Sequence, residues 1–569
     1  MKMKFLFTAL TILGMLGTVD QTSAVVPAAE GTPFQIIGHI QKFTLFTPAD
    51  VATYCPGGIA PGLEGAKMTV NGIEVIIPCN TIVTMPATYL TPKDIFDLNP
   101  KGVAGESGLA LDDTMPPLAA IEVSLDGNIV TLPAGGVRHV AGMVHISQQS
   151  LNNGAGYINK IDADGTLHVG SSLTPVPTAD ALIRINDSGD DASIPPGSAP
   201  TAIANSGRFG LRTSNLKVAP PFLAQDGRFT ADTGNPTIHA QTGYPMCIPR
   251  TLGVDPECPT TNRPTVGNIT GGVPLSFFVM GNSSITLPGL GTPTIPACGA
   301  LPSCNPAKQA PLMVGDYINY SGTLATGGYA ADPPNTRYIS AHTINAWVGI
   351  YTVPGATIAY INQEVSLMGT GNRTTDTVFD PTVPGGTIAQ EVAPRTIKVE
   401  GFTTDPTRSI TVTALSVSSN GTSTPQLVGL VGTDPAPYGR FRFMIKRGGV
   451  GFIKLSTPPL GPPTFTVTSP VKEISVAIVG VAPSLVANGL IAGKFDAPVS
   501  EVIFAENTFF GQSLVPFNFH RFCYLAVGSG ALTTRGNGAG PPVGQLVPWP
   551  GNAGTTFAAP SPIPTAACP

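Results

Sequence analysis

At 569 residues the chain is too long for one hydrophobic core, and three to five domains are expected. Only 11% of residues are charged, with a net charge of −5, so no basic surface points to a nucleic-acid partner. A hydrophobic share of 42% excludes the polar, highly charged composition of a disordered chain.

Glycine and proline number 66 and 58, about double their usual share. Lys/Glu-rich helical segments are nearly absent. The expected fold class is all-β: several small β modules, OB-like barrel units and an immunoglobulin/fibronectin-like sandwich, joined by Gly/Pro-rich loops.

Residues 1–24 read as a secretory signal peptide. Lys2 and Lys4 precede the apolar run Phe5–Val19, and Thr22-Ser23-Ala24 offers a small-residue cleavage site. The run is short for a membrane span and no second run of about 20 residues follows, so no transmembrane segment is expected. The expected location is extracellular, at or near a cell surface. Eight cysteines then imply disulfides. Proximity suggests Cys55–Cys79, Cys247–Cys258, Cys298–Cys304 and Cys523–Cys568.

Residues 25–115 form an N-terminal β region with two short helices. In Thr47-Pro48-Ala49-Asp50 and Thr91-Pro92-Lys93-Asp94 a capping Thr precedes Pro at the first helical position, with Asp at the third. Asn71-Gly72 between them is a hairpin turn. Residues 116–215 carry the most legible pattern. Ile121–Leu125 and Asn128–Leu132 flank Asp126-Gly127, read as a tight hairpin. Val137–Ile146 and Tyr157–Ile161 follow. The turn Asp164-Gly165 then leads to Thr166–Val169 and Ala181–Asn186. Short strands at this spacing suggest a small OB-like barrel, with half of a sandwich as the alternative.

Residues 216–310 are a Cys/Pro-rich connector with a hairpin at Ser276–Pro288. Residues 311–389 are a second β module, opening on the alternating Val314–Gly322. Residues 390–480 read as a β-sandwich, with strands at Thr396–Phe402, Ser409–Val417, Gln426–Val431, Arg440–Lys446, Gly451–Leu455 and Glu473–Val479. Residues 481–569 add a hairpin around Asn488-Gly489 and a Gly/Pro-rich tail.

Catalytic spacings are missing. The sequence holds no Gly-x-Ser-x-Gly elbow and no His-Glu-x-x-His motif, and Gly489–Lys494 lacks the spacing of a P-loop. Glu501 and Glu506 point to opposite faces of one strand, which does not suit a glycosidase pair. No catalytic residue and no cofactor is expected. His139, His145 and His168 fall in the expected barrel, and His139 and His145 share a face of a regular strand. They are candidate zinc or copper ligands, against the plainer reading as strand residues. Asp162, Asp164, Asp187, Asp190 and Asp191 offer oxygen ligands to calcium, or serve turn chemistry. Tyr317, Tyr320 and Trp347 are candidates for a sugar-stacking platform, or core aromatics.

These observations favour a secreted, non-enzymatic, multi-domain β protein of the cell surface or extracellular matrix. Its expected partner is itself or a wall polymer. One alternative is a carbohydrate-binding protein with an aromatic platform. Another is an extracellular polysaccharide hydrolase or metal-dependent oxidase.

Overall fold

The computed structural model describes residues 32–551, less 132–135, 148–151, 163–164, 177–178, 187–225, 233, 250–256, 267–272, 288–292, 300–303, 327–334, 372–377, 380–386, 389–392, 418–422, 436, 447–469, 487–488, 504–516, 518, 520–521 and 534–538. The described chain is nearly all β, in small closed barrels and sheets.

Five strands close the first barrel: β1 (Pro33–Leu45), β2 (Ala66–Val70), β3 (Ile73–Ile77), β4 (Glu122–Thr131) and β5 (Val137–Ile146). Their order is β1-β2-β3-β5-β4 and back to β1. The β3–β5 contact is parallel and the others antiparallel. This is an OB-like barrel. Asn71-Gly72 makes the β2–β3 turn, with φ of 52° and 77°, the positive values such a turn requires. Helices α1 (Pro48–Tyr54) and α2 (Pro92–Asp97) start at Thr47 and Thr91 with the expected reciprocal capping boxes.

A second barrel repeats the plan. Its strands are β6 (Asn152–Ile161), β7 (Leu167–Gly170), β8 (Ala181–Ile185), β9 (Tyr317–Thr326) and β10 (Arg337–Ala346). Again the order closes as first-second-third-fifth-fourth, with β8–β10 parallel. The Cys/Pro-rich stretch is the excursion between β8 and β9, and its apolar residues Tyr244, Met246 and Phe278 join the second barrel's core.

The sequence reading placed one barrel within residues 116–215. The structure divides that stretch: β4 and β5 complete the first barrel, whereas β6 to β8 open the second. Asp126-Gly127 is not a turn but the middle of β4. A Cβ at Gly127 would stand 2.2 Å from the Val140 carbonyl oxygen and 2.5 Å from the Phe34 ring. The glycine serves close approach, not a reversal. Opposite it, β5 bulges at Gly142: Asp126 pairs with Met143, yet Gly127 pairs with Ala141. The expected Ser276–Pro288 hairpin also differs. Phe277–Met280 pairs in parallel with Gly349–Thr352, and Ile285–Thr286 pairs with Thr294–Ile295.

Two four-stranded sheets form a sandwich around a shared core. One has the order β15 (Arg440–Lys446), β12 (Ala393–Thr403), β11 (Ile361–Gly371), β18 (Glu501–Ile503). The other runs β14 (Ser423–Val431), β13 (Ile410–Val417), β16 (Glu473–Ile478), β17 (Lys494–Pro498). The sandwich therefore recruits strands on both sides of the expected 390–480 limits; Gly451–Leu455 lies outside the described residues.

The described residues between 517 and 551 drape over the first barrel. The Cys79 amide donates to the Val547 carbonyl at 2.7 Å, and Met143 of β5 packs with Phe519, Phe522 and Trp549 in the sandwich core. Cys55–Cys79, Cys247–Cys258 and Cys298–Cys304 are bridged as expected. Cys523 is also disulfide-bonded; Cys568, its expected partner, lies outside the described residues. No helix among the described residues is long and apolar enough to cross a membrane.

Candidate functional site

The alternation of β9 sorts its aromatics. Ile318 is fully buried in the second barrel, and Tyr320, two residues on, packs against the same core. Tyr317 and Asn319 take the outer face. There β6 sets Tyr157 directly opposite Tyr317. The turn leaving β10 brings up Trp347, whose amide donates to the Tyr317 carbonyl at 2.8 Å.

The three rings touch in series. Centroids are 5.0 Å apart for Tyr157–Tyr317 and 4.9 Å for Tyr317–Trp347, with interplanar angles of 78° and 63°. Trp347 is 58% exposed and Tyr157 37%. Edge-to-face contact holds the rings in place. It also makes the strip stepped, not flat.

Of the expected platform, Tyr317 and Trp347 meet. Tyr320 does not join them, because its even position turns it inward; a Cβ at Gly154 would stand 2.4 Å from its hydroxyl. Burial raises the Tyr320 phenol above its usual pKa. Tyr157 was missed. A signal was present: the tripeptide Tyr-Ile-Asn stands at 157–159, 317–319 and 360–362.

From the strip, the outer face continues through Asn319 opposite Asn345 and Ser321 opposite Thr343. It ends in a polar cavity of about 320 Å³ between the second barrel and the sandwich. Two bulges converge there. His342 is the extra residue of β10, because Ser321 pairs with Thr343 but Gly322 pairs with Ala341. Glu364 is the extra residue of β11, because Gln363 pairs with Gly401 but Val365 pairs with Glu400. Bulges re-aim side chains and are common beside functional sites.

Burial pushes His342 and His239, both on the cavity wall, down to about 4. Both imidazoles are therefore neutral at pH 7. The Glu364 carboxyl is raised, first by lost solvation; Arg440 opposes this and Glu400 reinforces it. Its Oε1 accepts from Asn345 Nδ2 at 3.4 Å, which ties the rim of the cavity to the strip.

The candidate metal ligands do not assemble. The Gly142 bulge reverses the alternation of β5, so His139 pairs with Ile129 on the inner face and His145 with Ser124 on the outer one. His168 lies on β7 of the other barrel, its Nε2 2.6 Å from Asp162. Among the described residues, no group of three or more His, Cys, Asp or Glu could hold a metal ion. Asp162 is also paired with Lys160 at 2.6 Å; Asp164, Asp187, Asp190 and Asp191 lie outside the described residues, as does Glu506.

Comparison with known proteins finds no match to this chain among family models, curated proteins or solved structures.

Proposed function

We propose that this is a secreted, non-enzymatic β protein that binds a neutral polysaccharide of a cell wall or matrix on the outer face of its second barrel. The exposed Tyr157–Tyr317–Trp347 strip carries this reading. Three adjacent aromatic rings from two strands and a turn form a partly exposed apolar strip, a feature that supports a binding surface, and the C–H faces of sugar rings stack on such rings. OB-like barrels accommodate oligosaccharides on the face of their second and third strands, whereas this strip lies on the first and fourth, so the likeness is of fold only.

Disulfides suit an oxidising compartment, and the N-terminal signal pattern supports export. The sandwich adds to this. Its sheets, ordered fifth-second-first-eighth and fourth-third-sixth-seventh, resemble a fibronectin-type module with one added edge strand, an architecture frequent in cell-surface proteins.

The test is retention of the purified protein on insoluble glucan, xylan, mannan and chitin. Retention on at least one polymer, lost in Trp347→Ala, is the expected result. Equal retention of wild type and Trp347→Ala on every polymer would remove the strip from the mechanism.

A further inference from the structure

The polar cavity beyond the strip is lined by residues whose side chains carry buried polar atoms that meet no protein hydrogen-bond partner. These are Asn362 Nδ2, both Oε1 and Nε2 of Gln363, and Ser366 Oγ. Asn362 and Ser366 are only 1% and 4% exposed. A buried polar group left unpaired costs about 1–3 kcal/mol, and folded proteins normally satisfy such groups. Several on one wall of one cavity point to a ligand.

Their chemistry selects its class. Asn362 and Gln363 donate, Gln363 also accepts, and Ser366 does both. Among the described residues no lysine or arginine lines the cavity, so an anion finds no counter-charge there. The wall histidines are neutral at pH 7. Three carboxyls line the cavity, Asp232, Glu364 and Asp496, yet burial favours the neutral form of Glu364, and no group of three among the described residues could hold a metal ion. The Asp232 carboxylate takes hydrogen bonds from the Gly234 and Asn235 amides and from Asn235 Nδ2. Asp496 is paired with Lys494 at 2.6 Å. Phe495 adds an apolar stretch of wall. Mixed donors and acceptors, no net charge demand and one apolar wall describe a polyhydroxylated, uncharged ligand. The volume is at the small end of the range for ligand sites, roughly 300–1,000 Å³.

We propose that this cavity holds one uncharged sugar unit of a saccharide whose adjoining units lie along the Tyr317–Trp347 strip. Tyr317 and Ser321 are four residues apart on one strand face, about 14 Å at roughly 3.4 Å per residue, so a short oligosaccharide spans both. The continuity with the strip rests on the polysaccharide reading above; the sugar unit in the cavity does not.

Calorimetric titration of the full protein with neutral oligosaccharides of one to six units, drawn from glucan, xylan, mannan and chitin, separates the two. Ser366→Ala and Gln363→Ala remove groups that bond nothing in the protein, so the melting temperature does not fall. Each is expected to weaken binding about three- to tenfold, for single sugars as well as chains. Trp347→Ala is expected to weaken only the longer chains. Wild-type affinity in both cavity variants, with loss in Trp347→Ala, overturns the cavity site and leaves the strip. Loss in the cavity variants with Trp347→Ala unchanged supports the cavity and overturns the strip. A wild-type protein that binds none of these sugars overturns both.

Discussion

Asn128 and Phe517, 389 positions apart, grip each other by a reciprocal pair of hydrogen bonds. Asn128 Nδ2 donates to the Phe517 carbonyl at 2.8 Å, and the Phe517 amide returns a bond to Asn128 Oδ1 at 2.8 Å. The same Nδ2 also reaches the Pro550 carbonyl at 2.7 Å. One fully buried side chain thus pins two parts of the C-terminal segment to the first barrel. Asn128→Ala leaves at least two buried backbone groups unpaired, and a loss of about 2–4 kcal/mol is expected. Urea unfolding measures it; a change below about 0.5 kcal/mol would mean that the segment does not dock there.

Tyr157 and Tyr320 make a matched control for the strip. Tyr157→Ala is expected to lower polysaccharide affinity about tenfold, the loss that follows removal of an aromatic contact of roughly 1.5 kcal/mol. Tyr320→Phe keeps the inward ring and leaves binding unchanged. Retention on the same polymers reads both, and equal losses in the two variants would contradict the assignment of faces.

Acid weakens this fold through its histidines. Burial pushes His145, His239 and His342 down to about 4, whereas an unfolded histidine titrates near 6.5. Between those values the unfolded chain binds more protons, so stability falls as pH drops from about 6.5 to 4. Asp126 works the other way. Its carboxyl is pushed up to about 7, first by burial, with the Gln35 hydrogen bond opposing and Glu501 adding. An unfolded aspartate ionises near 4, so Asp126 lowers stability as pH rises from about 4 to 7. Three groups outweigh one below pH 6.5, and a falling unfolding midpoint from pH 6.5 to 4.5 is expected. Asp126→Asn should raise stability at pH 8, by roughly 4 kcal/mol at most. Identical profiles for wild type and Asp126→Asn would show that the carboxyl is not held protonated.

The Cys55–Cys79 bridge ties the end of α1 to the residues after β3, closing a loop of 24 positions. Chain entropy gives such a loop about 3 kcal/mol. The double variant Cys55→Ser/Cys79→Ser is expected to lose that much in a denaturant titration, with the second barrel's aromatic strip unaltered in polysaccharide binding. A variant as stable as wild type would show that the α1 contacts of Phe46 and Tyr54 suffice.

Local chemistry was legible. The Thr-Pro-x-Asp helix starts, the Asn71-Gly72 turn and the three observed disulfides all depend on residues close in sequence. Asp126-Gly127 shows where that reasoning stops. Its composition suits a tight turn, but Phe34 and Val140 decide its fate, and neither is a sequence neighbour. The site divides the same way. Tyr317 and Trp347 were visible as aromatics near one strand, whereas Tyr157 joins them only through the β6–β9 register, across 160 positions.

The sequence alone determined the class of this protein: strand-forming alternation, abundant turn residues and few helix formers leave an all-β chain with capped helical turns. Only the tertiary structure decided which strands share a barrel. Closure pairs β1 with β4 and β6 with β9, and the hydrogen-bonding groups of any extended strand can satisfy those of any other. Selection among partners then falls to side-chain packing over long separations, and the bulges at Gly142, His342 and Glu364 that aim the outer faces exist only once those pairings have formed.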